Sequence, residues 1–158
     1  MRVAHNPEVL SYLVEAKVAL RTEMYLACIL ISGTLAELVL REISSDFKNN
    51  VAVICKKLYE NKVLNEEQYN NFTQIRKIRN KYAHVNLNQN WDKPPEGIIF
   101  ERNGNAAFLE EVLEQQTSLE NKIFMKHYAY SALDAEKIFK LASSTLLKLD
   151  IDEEYSSY

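Results

Sequence analysis

The sequence predicts an all-α fold, a single bundle of four to five helices with a long loop after its fourth helix, on three observations. Glycine and proline number only three each in 158 residues, so little in the chain interrupts long helices. Apolar residues recur at spacings of three and four over most of the length, which is the period of a helix with one buried face. No stretch is rich enough in Gly, Ser or Pro to separate two domains, and no internal repeat is present. Residues 1–150 are therefore read as one helical-bundle domain. Residues 151–158 are read as an acidic, disordered tail.

Asn6-Pro7-Glu8 is a helix start: a capping side chain, a proline in the first turn, and an acid at the positive end of the dipole. Val9, Leu13, Ala16 and Leu20 then mark the buried stripe of the first helix. Thr22 is placed as the cap of a second helix running to about Ile43. That helix is apolar around much of its circumference through Leu26, Ile29, Leu30, Leu35, Leu38 and Val39, so it is expected at the centre of the bundle. A polar connector, Ser44 to Asn50, leads to a short helix from Val51 to Asn61. Asn65-Glu66-Glu67-Gln68 opens the next, whose apolar positions Phe72, Ile75, Ile78, Tyr82 and Val85 keep helical spacing. Asn86 to Asn105 contains Pro94, Pro95, Gly97 and Gly104 and reads as a loop, with a short hairpin around Ile98-Ile99-Phe100. Helical character is expected again from Ala106 to Gln115. A final long helix, about Ser118 to Leu149, carries Tyr128, Ala132, Ala135, Ile138, Phe139, Ala142, Leu146 and Leu149 on one face.

Composition narrows the function. A formal charge of -3 argues against nucleic-acid binding over the whole surface, though not against one local basic site. Cys28 and Cys55 sit among apolar residues without metal-ligand or redox spacing, which predicts buried free thiols in a reducing cytoplasm. The first seven residues lack the apolar core of a secretory signal. Met24 to Leu40, interrupted by Gly33 and Glu37, falls short of the ~20 apolar residues that span a bilayer and is read as a core helix. His5, His84 and His127 are scattered without paired acids, so neither a metal nor a cofactor is expected. A phosphate-cradling glycine loop, a nucleophile elbow and an HExxH motif are all missing.

The chemistry concentrates in Ile75-Arg-Lys-Ile-Arg-Asn-Lys-Tyr-Ala-His84. Arg76, Lys77, Arg79 and Lys81 follow one another there without an acid, in a chain that is acidic overall. Such a cluster is what a local phosphate site requires, and equally what complements the negative end of a helix dipole. Arginine grips a phosphate with a planar fork of donors, and histidine moves a proton near neutral pH. On a continuous helix Arg79 and His84 lie about 140° apart, whereas Asn80 and His84 share a face with Arg76 one turn earlier. Arg79 and His84 can act together if the helix loosens after Tyr82, or if a site is assembled from two chains. Glu37, embedded in the apolar second helix, needs a partner, which Arg79 or Arg76 would supply. Arg41 extends the same strip one turn on.

The string Arg79-Asn80-Lys81-Tyr82-Ala83-His84, on a helix in an all-helical chain, resembles the signature of the HEPN superfamily (higher eukaryote and prokaryote nucleotide-binding domains). The run Asn65 to His84, preceded by an apolar helix with the embedded acid of Ala36-Glu37-Leu38, is similar to the mannitol-operon-repressor-like branch. The resemblance covers Thr22 to Asn86, about two-fifths of the chain. It implies a metal-independent endoribonuclease of a toxin–antitoxin or phage-defence system, acting on RNA as a homodimer with both motifs facing one cleft. By that resemblance Arg79 binds the scissile phosphate, His84 is general acid or base toward the ribose 2′-hydroxyl, and Asn80 orients the phosphate or His84. Glu37, Arg76 and Lys81 are supporting residues. Val85-Asn86-Leu87 lacks the tyrosine of toxin members controlled by adenylylation, which counts against that subtype. The mannitol-repressor-like branch implies the alternative: a non-catalytic regulator or scaffold working through protein partners, a cognate antitoxin or regulatory protein among them.

Overall fold

The computed structural model describes residues 6–83, 99–102, 105–108, 111, 114–115 and 119–149. Its five helices of ten residues or more are α1 (Pro7–Arg21), α2 (Tyr25–Ser44), α3 (Val51–Glu60), α4 (Glu66–Ala83) and α5 (Leu119–Leu147). Between α4 and α5 stands a hairpin, β1 (Ile99–Arg102) antiparallel to β2 (Asn105–Phe108), with Ile99 opposite Phe108 and Arg102 opposite Asn105. The fold is a small helical bundle, as expected. The expected helix from Ala106 is corrected at its start: Ala106 to Phe108 is strand, and helix is described only at Glu111, Glu114 and Gln115. In the sequence Asn103-Gly104, a dipeptide that favours tight hairpin turns, falls between the two strands and is a signal that the helix preference of Ala106 and Ala107 obscured. The remainder of the predicted 86–105 loop and the 151–158 tail lie outside the described residues.

α2 is the central helix. It packs against α1, α3, α4 and α5, and nine of its residues are buried, among them Ile29, Leu35, Val39 and Leu40. Against it lie Val9, Leu13 and Ala16 from α1, Ile54 and Leu58 from α3, Phe72 and Ile75 from α4, and Ala135, Ile138, Ala142 and Leu146 from α5. Each large side chain so buried contributes roughly 1.5–3 kcal/mol relative to exposure. Ala19 rather than Leu20 completes the buried stripe of α1. No helix of the described residues is long and apolar enough to cross a membrane.

Local signals set the helix ends. Asn6 Oδ1 accepts from the main-chain N–H of Glu8 at 2.9 Å, and Asn50 Oδ1 from that of Ala52 at 2.8 Å. Asn65 and Gln68 form a reciprocal capping box, each side-chain oxygen accepting the other's main-chain N–H at 2.8 and 2.9 Å. Thr22 does not cap α2. It closes α1, its hydroxyl turned back onto the carbonyl of Val18 at 2.9 Å, and Met24 takes the N-cap of α2 without a side-chain bond. Glu23, at φ 59°, reverses the chain through a Schellman motif: Met24 N–H reaches Ala19 O and Glu23 N–H reaches Leu20 O.

Candidate functional site

α2 and α4 approach closely where Gly33 faces Arg79. A Cβ added at Gly33 would lie 2.5 Å from Arg79 Cβ and nearer still to its Cγ. The missing side chain is thus the notch that seats the stem of Arg79, and it explains a glycine in mid-helix, where it otherwise costs ~1 kcal/mol. The arginine stem is packed and its guanidinium reaches the rim of a cleft lined by Gly33, Ala36, Glu37, Leu40, Val51, Phe72, Ile75, Arg76, Arg79 and Asn80. The floor is apolar and the rim is charged. The cleft is open to solvent and holds about 20 Å³ of water-accessible space, room for at least one water.

Two guanidiniums flank Glu37. Arg41, one turn along α2, donates Nε and Nη2 to Glu37 Oε1 at 3.3 and 3.1 Å. Arg79 Nη2 stands 3.7 Å from Oε2, inside ion-pair range and beyond hydrogen-bond range. Arg79 Nη1 donates to Asn80 Oδ1 at 3.1 Å, and its Nε is buried with no hydrogen-bond partner among the described residues. Arg76 lines the same cleft without pairing with Glu37, so three guanidiniums and one carboxylate leave this region with a net positive charge within an acidic chain. Arg76 also lies near Cys55 of α3: burial pushes that thiol up to about 11, and the positive charge of Arg76 partly offsets the rise.

Four of the six residues singled out in the sequence, Glu37, Arg76, Arg79 and Asn80, therefore line one cleft. Glu37 is half-buried rather than fully enclosed, and its partners are Arg41 and Arg79, not Arg76. Lys81 is directed elsewhere: its Nζ donates to Asp134 Oδ2 of α5 at 2.8 Å and lies over the rings of Tyr82 and Tyr130. The Tyr82 hydroxyl donates to the same Asp134 oxygen at 2.7 Å. Burial, and then the Asp134 carboxylate, hold the Tyr82 phenol well above its ordinary range, so it stays protonated. This contact fixes the last turn of α4 against α5. His84, five residues beyond Arg79 in the chain, lies outside the described residues. His127 is exposed, with its ring edge-on to Tyr82 at 5.9 Å between centroids. Among the described residues no three His, Cys, Asp or Glu side chains group as a metal site.

Sequence reasoning passed over Asp134 and read Gly33 only as an interruption. One acid among several on a long helix gives no sign of its partners, whereas a mid-helix glycine is a legible mark of close packing. Comparison with protein-family models finds no match, and neither curated proteins nor solved structures give one.

Proposed function

We propose that the chain is a HEPN-like metal-independent endoribonuclease of a toxin–antitoxin or phage-defence system, acting as a homodimer. Arg79 binds the scissile phosphate and His84 serves as general acid or base. The observation that carries this reading is the state of Arg79. Its stem is clamped in the Gly33 notch, Nη1 is anchored on Asn80, and Nη2 stands 3.7 Å from Glu37, inside ion-pair range but without a hydrogen bond to it. A fixed guanidinium is preorganised for the charge that develops on a phosphate as it is attacked. In the reaction the ribose 2′-oxygen bonds to phosphorus and gives its proton to a base, while the bond to the 5′-oxygen of the next nucleotide breaks and that oxygen takes a proton from an acid. The products are a 2′,3′-cyclic phosphate and a 5′-hydroxyl. The homodimer packs along α4, the motif helix, so that the Arg79 of each chain faces one shared cleft.

The test is an RNA substrate beside the same strand with 2′-deoxyribose throughout. Cleavage of the RNA alone, leaving cyclic phosphate ends, is the expected outcome. Equal cleavage of both strands would remove the 2′-hydroxyl mechanism. A second reading, a non-catalytic regulator or scaffold acting through protein partners, is favoured by the apolar surface of α1 and α2. Val14 is 60%, Val18 54%, Leu26 45% and Leu38 42% exposed. A folded protein that binds a cognate partner and cuts no RNA would establish that alternative.

A further inference from the structure

We infer that Arg41 is a positioning residue of this site: by holding Glu37, it keeps that carboxylate from closing on Arg79, which leaves the Arg79 guanidinium available to an anion. The inference rests on the reading of Arg79 as the phosphate-binding group.

Glu37 lies between two cations and is held unequally by them. Arg41 makes two hydrogen bonds to Oε1, at 3.3 and 3.1 Å, while Arg79 Nη2 stays 3.7 Å from Oε2. The imbalance follows from how Arg41 is tethered. Its Nη1 donates to the main-chain carbonyls of Asp46 and Asn49, at 3.4 and 3.1 Å. Those carbonyls belong to a turn with its own locks. Asp46 Oδ1 accepts the N–H groups of Lys48 and Asn49, and Oδ2 accepts from Asn49 Nδ2 at 2.6 Å. Ser45, at φ 51°, sets the chain into that turn. The Arg41 guanidinium is thus fixed on one side by the connector between α2 and α3, and presents its remaining donors to Glu37. The planar fork reaches both partners at once, which a lysine ammonium in its place does not.

Without Arg41, the cation left paired with Glu37 among the described residues is Arg79. A carboxylate already 3.7 Å away needs a side-chain adjustment of less than an ångström to hydrogen-bond it. Arg79 would then be neutralised by its own neighbour, and a phosphate would have to displace a charge-assisted bond to bind.

The test is a cycle of Arg41→Met, Glu37→Gln and the double variant, read in two ways on the full chain. The first readout is solvent exchange of the Arg79 Nη protons, the donors that face Glu37, by NMR, assigned through their loss in Arg79→Lys. Exchange should slow in Arg41→Met and return to the wild-type rate in the double variant. The second is binding of a fluorescent single-stranded oligoribonucleotide. Arg41→Met should weaken it by about tenfold, and adding Glu37→Gln should recover most of that loss. An Arg41 that merely stabilises the fold, or touches phosphate itself, gives a loss that Glu37→Gln does not rescue. Either that pattern or unchanged Arg79 exchange in Arg41→Met overturns the inference. Absence of RNA binding by wild type, or full binding by Arg79→Ala, would instead defeat the phosphate reading of Arg79. The exchange measurement decides the role of Arg41 in either case.

Discussion

At Gly33 the backbone of α2 and the stem of Arg79 occupy adjoining space, and the balance there can be weighed. Alanine gains roughly 1 kcal/mol over glycine in a helix interior, whereas forcing an extra carbon into packed space costs about 1–3 kcal/mol. Because the new Cβ would overlap both Cβ and Cγ of Arg79, neither of them a flexible tip, overlap wins. Gly33→Ala is expected to lower stability by about 1–2 kcal/mol in denaturant melts and to displace Arg79. Unchanged or raised stability would show that α2 and α4 are not locked here. Cys55 provides a second residue-scale measurement. Its thiol is raised from an ordinary 9.0 to about 11, chiefly by burial. A group with a raised folded-state pKa stabilises the fold fully below its unfolded value, and that contribution is lost as pH rises through the folded value. Stability should therefore fall between about pH 9 and 11, by roughly 2–3 kcal/mol from this group alone. The comparison is the alkaline slope of the melting temperature in wild type and Cys55→Ala, which should be shallower in the variant.

At the scale of elements, helix beginnings were more legible than helix ends. Asn6 and Asn65 announce their helices because a capping side chain has few other uses before an apolar run. The ends of α1 and α3 carry no such sign, since their left-handed positions are filled by Glu23 and Lys62 rather than glycine. For Lys62 the motif is complete: its N–H reaches Tyr59 O, and Val63 N–H reaches Leu58 O. An L-residue in that conformation carries about 1 kcal/mol or more of strain that glycine avoids. Lys62 is exposed, so Lys62→Gly should raise stability by about 0.5–1 kcal/mol, read as a higher melting temperature. A lower one would mean that the Lys62 side chain has a role beyond its backbone angle. The site divides in the same way. Glu37 could be tied to an arginine of α4 because an acid in an apolar helix needs a partner, whereas Asn80 was joined to Arg79 through the family resemblance alone. The pairing of Lys81 with Asp134 could not be read, since it joins residues far apart in sequence on helices whose relative rotation no local pattern specifies.

For the whole molecule, the bundle is organised around α2, which carries both the deepest core and one wall of the charged cleft. The same helix leaves Leu26 and Leu38 in solvent and carries Glu37 and Arg41, so core, site and outer apolar surface share one element. A sequence apolar on nearly all sides of a helix announces burial, yet here part of that apolarity stays outside the monomer. The measurement that bears most directly on the proposed function is cleavage of a mixed RNA substrate in excess EDTA, with wild type beside Arg79→Ala and His84→Ala. Cleavage by wild type and at least a hundredfold loss in both variants is expected, on the order of a removed general acid–base or phosphate-binding group. No cleavage by a well-folded wild type, or undiminished cleavage by both variants, would contradict it.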